Sequence, residues 1–174
     1  MSIQIQDRNK VKVEFKIMQF AGGERHVQFD ATQLQQLKYD VFVQARIQHS
    51  QDLMDYLLIE NVLLNQGLSI DLEIPYFPYA RQDRICATGQ AFSLDIMTKL
   101  LNLNAEQFPQ QRRSITVWDA HSAVTEKLLH ENTLFLNIEN VQPSDIILQS
   151  NALTEILKAE NTVLICPDAG AKHR

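Results

Sequence analysis

Cysteine is nearly absent: Cys86 and Cys166 are the only two in 174 residues. They make neither a spaced metal-ligand set nor a disulfide framework, so a reducing cytoplasm is the expected compartment. No apolar run approaches the roughly 18 residues of a membrane-spanning helix, and no membrane role is expected. The polar opening Met1-Ser-Ile-Gln-Ile-Gln6 lacks a signal-peptide pattern. No basic block stands out, and a net charge of −5 argues against a nucleic-acid face. Any phosphate site must therefore be local. Internal repeats and low-complexity linkers are also missing. What is present is 45% hydrophobic and 21% charged residues, an ordinary composition for one domain with its own core.

Along the chain, strand and helix patterns alternate. Val11, Val13, Phe15 and Ile17 alternate with Lys12, Glu14 and Lys16, the period of a half-buried strand. Ala21-Gly22-Gly23-Glu24 is a turn, and His26–Phe29 returns as the second strand of a hairpin. Residues 39–45 read as a buried parallel strand. Ser50 then starts a helix with Asp52 and Asp55 near its positive end. Leu53, Met54, Leu57, Leu58, Val62 and Leu64 are its expected core face, and Gly67 its stop. A strand over 68–76 follows, then a helix over 92–103 with Leu94, Met97, Leu100 and Leu101 inward. Later come a strand over 115–119, a helix through Leu128 and Leu129 capped by Ser122, and a strand over 132–138. A helix from Pro143 through Leu157 and a buried strand over 162–166 complete the pattern. This alternation implies a three-layer α/β domain with a mainly parallel sheet and an antiparallel hairpin near the start.

Ligands of such sheets bind outside the carboxyl ends of the strands. There the chain places Ile74-Pro-Tyr-Phe-Pro-Tyr-Ala-Arg-Gln-Asp-Arg84. Two prolines end the strand and deliver Arg81, Gln82, Asp83 and Arg84 into a loop. Arginine forks suit phosphate oxygens; a solvated loop with surface ion pairs is the alternative reading. The strand over 115–119 ends in Asp119-Ala-His-Ser122, where period-two geometry sends Asp119 and His121 to one side. Magnesium prefers oxygen ligands and retained water, so a capping or structural histidine is an equal reading on spacing alone. Pro167-Asp-Ala-Gly170 is a turn of a common kind, with Asp168 in it.

The run Pro-Tyr-Phe-Pro-Tyr-Ala-Arg-Gln-Asp-Arg resembles the signature of the ribose-phosphate pyrophosphokinases, also called phosphoribosyl-pyrophosphate synthetases. Phe20-Ala-Gly-Gly-Glu24 is similar to that family's Phe-x-Asp-Gly-Glu hairpin, with Gly22 where the family has Asp. Trp-Asp-Ala-His resembles its Asp-x-His, and Pro167-Asp-Ala-Gly its Pro-Asp-x-Gly, with Ala171 in place of a second glycine. The four motifs occur in the family's order from Phe20 to Gly170. The segment 85–90 is less basic than in many relatives, which places more of the phosphate grip on Arg81 and Arg84.

The resemblance implies the phosphoribosyltransferase-like fold and transfer of a diphosphoryl group from Mg–ATP to ribose 5-phosphate. It implies ATP binding by Arg81, Gln82, Asp83 and Arg84, with Phe20 and Glu24 reaching the adenine from a neighbouring subunit, and hence self-association through the hairpin. It implies Mg2+ held by Asp119, His121 and Asp168, with Arg81 and His121 as catalytic residues. Family members continue with a second half whose acidic Thr/Gly-rich loop binds the sugar phosphate; no such segment occurs in residues 1–174. The expectation is therefore an N-terminal domain of a longer enzyme, or a chain that lost its partner half. A non-catalytic synthetase-associated subunit of the same fold is the alternative.

Overall fold

The computed structural model describes residues 2–163 and 165. They divide into two compact units, with the boundary after Asn140. In the first, an antiparallel hairpin of β2 (Phe15–Gln19) and β3 (Arg25–Phe29) forms a sheet of its own beside a five-stranded sheet. The sheet contains β1 (Ile3–Asp7), β4 (Asp40–Ala45), β5 (Ser69–Ile74), β6 (Arg113–Trp118) and β7 (Asn137–Val141), neighbours in that order. β4 pairs parallel with β5 and β5 with β6, while β1 closes the β4 edge antiparallel. The α/β class, the mostly parallel sheet and the hairpin are those expected from the sequence.

β1 and the short helix α1 (Ala31–Gln36) were not anticipated. β1 alternates buried Ile3 and Ile5 with glutamines, a strand pattern of only five residues. α1 is started by Asp30, whose carboxylate accepts from Gln33 N–H at 2.8 Å, as Asp does at an N-cap.

The parallel strands are two-faced. Val41, Val43, Ile70, Leu72, Ile115 and Val117 are buried on one side. On the other, Gln44 donates to Glu73 at 2.9 Å and Ser114 to Asp71 at 2.5 Å, cross-strand pairs that tie β4 to β5 and β5 to β6.

The helix α2 (Ser50–Asn65) packs against β3 and β5. Its backbone cap is His49 rather than Ser50, because Asp52 accepts from the N–H groups of His49 at 2.8 Å and Gln48 at 3.0 Å. Burial pushes the Asp52 carboxyl up, but hydrogen bonds from Ser2, His49 and Gln48 hold it below its usual range. Gly67, at φ +77°, stops the helix in the left-handed conformation that glycine adopts without penalty. The expected core face is only partly right. Met54 is 48% exposed, while Asp55, Tyr56, Ile59, Glu60 and Leu63 are buried beside Leu57 and Leu64.

Two further helices, α3 (Ser93–Leu100) and α4 (Ala123–Asn132), pack on each other. Asn132 donates to Asp95 at 3.0 Å and to Thr98 at 2.8 Å across that contact. Hydrogen bonds from Lys99 and Asn132 hold the Asp95 carboxyl below its ordinary value. Because α4 runs on to Asn132, the next strand starts at Asn137, not near 132. In the second unit the expected long helix is two, α5 (Pro143–Gln149) and α6 (Asn151–Lys158). Ser150 separates them and caps α6 through Leu153 N–H. Val163 and Ile165 are exposed and in no strand, against the buried strand expected there. No helix among the described residues is long and apolar enough to cross a membrane.

Candidate functional site

Two loops leave the carboxyl ends of adjacent strands, and most of the expected site residues sit on them. After β5, Pro75 and Pro78 break the ladder, since proline donates no hydrogen bond. Phe77 and Ala80 are buried and anchor the turn, while Tyr79 adopts φ +60°. A left-handed conformation at a bulky residue is rare and must be held by its surroundings. Here Gln82 N–H donates to Tyr79 O at 2.8 Å and closes the turn.

The turn leaves Arg81, Gln82 and Arg84 exposed. Among the described residues Arg81 has no hydrogen-bond or ion-pair partner. Arg84 stands only 4.0 Å from Asp83 and its side chain is 81% exposed. Such a contact is worth little, so both guanidinium groups are available to an anion.

After β6, Asp119 takes φ +45° and lies exposed with His121. This loop is held at two points. Ala120 N–H donates to Asn140 Oδ1 at 3.1 Å, and Ser122 Oγ donates to Asp83 Oδ2 at 2.8 Å. Ser122 does occupy the backbone cap position of α4, but its side chain makes no capping hydrogen bond. Its hydroxyl binds the neighbouring loop instead. The structure therefore brings the Arg81–Arg84 segment and the Asp119–Ser122 segment together through Asp83.

The hairpin residues are placed separately. Phe20 is 57% exposed at the tip, and its ring lies 5.8 Å from that of His26. A β-carbon at Gly22 would come within 2.5–3.0 Å of the Glu24 carboxylate, so Glu24 folds over the position where the family carries Asp. The hairpin is tied to α2 by a two-pronged pair, Arg25 Nε to Asp55 Oδ1 at 2.8 Å and Nη2 to Oδ2 at 2.5 Å. That hydrogen bonding raises the Arg25 pKa above its ordinary value. No described hydrogen bond or ion pair joins Phe20 or Glu24 to residues 81–84. Asp168 lies outside the described residues.

A cavity of about 860 Å³ opens beside the first loop, lined by His49, Ser50, Tyr76, Tyr79, Gln82 and Ile96 among others. Its lining is largely apolar and does not include Arg81, Arg84, Asp119 or His121. Among the described residues no three His, Cys, Asp or Glu side chains gather as a metal site. Among the described residues, then, Asp119 and His121 gain no third ligand side chain. Two exposed donors suit a magnesium ion that retains water and takes its remaining oxygens from a polyphosphate.

Sequence reasoning missed Asn140 and the pairing role of Ser122. A lone Asn in a strand gives no signal, and Ser before a helix points to a cap.

The two loops, side by side at the carboxyl ends of β5 and β6 and joined by Ser122 and Asp83, mark the candidate site of this α/β domain. The sequence model for the N-terminal domain of ribose phosphate pyrophosphokinase matches residues 2–104, and the chain belongs to that family. It is 29% identical over 170 residues to a ribose-phosphate pyrophosphokinase of Pyrococcus abyssi, covering 95% of this chain and 51% of the relative. The enzyme of the same name from Thermococcus kodakarensis is 24% identical, with 93% of this chain and 51% of the relative covered. The crystal structure of phosphoribosylpyrophosphate synthetase from Mycobacterium smegmatis superposes with a TM-score of 0.60 at 20% identity. That superposition covers 81% of this chain and 44% of the other and supports the fold. The chain spans about half the length of the curated relatives it matches.

Proposed function

We propose that this chain supplies the ATP- and magnesium-binding half of a ribose-phosphate diphosphokinase, a cytoplasmic enzyme, with residues 1–174 as its N-terminal domain. In the reaction the 1-hydroxyl oxygen of ribose 5-phosphate bonds to the β-phosphorus of ATP. The bond from that phosphorus to the α,β-bridging oxygen breaks, AMP leaves, and the hydroxyl proton is lost. Such chemistry depends on positioning and on neutralising charge.

Arg81, Gln82 and Arg84 hold the polyphosphate, with Asp83 in the same loop. Asp119 and His121, with Asp168, orient the metal end of the nucleotide, and Phe20 and Glu24 approach the adenine of a neighbouring copy. Magnesium, when bound, neutralises the phosphate oxygens. In this reading Arg81 and His121 are the catalytic residues.

The observation that carries this reading is Arg81: exposed, unpartnered among the described residues, and set at a strand's carboxyl end in a member of this family. The test is titration calorimetry with Mg–ATP and Mg–ADP. A charge-assisted hydrogen bond contributes about 1.5–3 kcal/mol, so Arg81→Ala should weaken binding about tenfold or more. Equal affinity of wild type and variant would remove Arg81 from the nucleotide site.

A further inference from the structure

The serine that begins α4 has an unusual use. A serine at an N-cap ordinarily accepts from a helix N–H two or three residues on. Ser122 has the extended cap backbone, φ −153° and ψ 162°, and makes no such bond. Its hydroxyl donates to Asp83 at 2.8 Å, across 39 residues of chain. The Asp83 side chain is only 17% exposed, while that of its neighbour Arg84 is 81% exposed. Within one loop, then, the carboxylate turns inward to the adjacent loop and the guanidinium turns out.

We infer that Asp83 and Ser122 form a latch that sets the spacing between the arginine loop and the Asp119–His121 loop. Both are positioning residues, and this rests on the nucleotide reading above. Asp83 acts on the nucleotide through Ser122. A carboxylate is a poor direct neighbour for phosphate, since like charges repel, and here it is satisfied by a hydroxyl instead. The second loop is held at its other end by Asn140, through Ala120 N–H. With both ends fixed, Asp119 and His121 keep one distance from Arg81. A ligand that spans both loops, a polyphosphate carrying a divalent cation, feels that distance. A ligand that touches only the arginines does not.

The single tryptophan, Trp118, immediately precedes Asp119 and is 37% exposed, so it reports on the second loop. In the full chain, Asp83→Ala and Ser122→Ala should each raise iodide quenching of Trp118 fluorescence, and the double variant should go no further. Ser122→Thr, which keeps the hydroxyl, should restore the wild-type value. With ligand, Ser122→Ala should weaken Mg–ATP binding by about fivefold to tenfold and metal-free ATP by less than about twofold. A merely structural role would lower the melting temperature without changing the ratio of those two affinities. Additive quenching in the double variant, or no rescue by Ser122→Thr, overturns the latch. A latch that passes the quenching test while Arg81→Ala leaves nucleotide affinity unchanged would instead sink the nucleotide reading. Unchanged Mg–ATP affinity in Ser122→Ala, with affinity lost in Arg81→Ala, would overturn the positioning role alone.

Discussion

The guanidinium of Arg113 meets the carboxylate of Glu60 at 2.8 Å, with side chains 2% and 0% exposed. Glu60 also accepts from Tyr56 at 2.8 Å and from Asn104 at 2.9 Å. Arg113 donates to Leu101 O, and its remaining guanidinium nitrogens find no hydrogen-bond partner among the described residues. The guanidinium carbon instead stacks over the Phe135 ring, 4.3 Å from its centroid, where a cation is favoured by the ring's negative face.

Breaking this pair on one side strands a buried carboxylate. Arg113→Met should therefore cost about 3–5 kcal/mol of stability, whereas Arg113→Met combined with Glu60→Gln, which removes the stranded charge and keeps an acceptor for Tyr56 and Asn104, should recover much of it. Urea unfolding of both variants measures this. A single-variant loss below about 0.5 kcal/mol, the size of an ordinary surface change, would mean the two charges do not depend on each other.

The same cluster predicts an alkaline limit. Burial first, and then the Glu60 charge, raises the Tyr56 hydroxyl well above its ordinary value, although Arg113 pulls the other way. Below about pH 10 the tyrosine is protonated both folded and unfolded, and it adds no pH dependence. Above that pH the unfolded chain releases the proton and the folded chain keeps it. Stability then falls as pH rises, by up to about 1.4 kcal/mol per pH unit from this group. Tyr56→Phe should flatten the decline between pH 10 and 11; an unchanged slope would assign the decline to other groups.

Much of this architecture is legible from residue order, and the exceptions share a cause. The hairpin, β4, β5 and β6 were readable because their alternation or apolar runs are long enough to count. The inner face of α2 was not, because Asp55, Tyr56 and Glu60 are polar letters that become core only when Arg25, Asn104 and Arg113 arrive from elsewhere. The split at Ser150 was hidden because apolar residues continue across it. At the site, the two loops were legible as motifs, but their connection through Asp83 and Ser122 is a tertiary contact that no local pattern announces.

The hairpin supports a prediction about assembly. Isolated two-stranded ribbons are marginal, and this one is fixed to α2 by Arg25 and Asp55. We expect self-association through this region at tens of micromolar, with Asp55→Ala shifting the population toward monomer and raising amide exchange in 15–29. Light scattering that finds wild type wholly monomeric would leave Phe20 and Glu24 without an adenine to reach.

Residues 1–174 by themselves should turn over poorly. Fixing the acceptor hydroxyl in line with the β-phosphorus accounts for about 7–11 kcal/mol of such a barrier, and in the function proposed above residues 1–174 supply only the nucleotide half. The assay supplies Mg–ATP and ribose 5-phosphate and follows AMP together with the sugar product. Turnover of about 1 per second or faster would show that the second substrate site lies within these residues.

The left-handed backbone at Tyr79 and Asp119 has a consequence for ligand entropy. Each such residue holds the folded chain about 1–2 kcal/mol above a relaxed alternative, a cost met once, when the domain folds. Both loops are then already bent when a ligand arrives, and little further ordering is charged to association. Glycine at position 79 would relieve the strain there and stabilise the free domain. It would also loosen the loop, so that a tighter fold and a weaker grip would come from the same substitution.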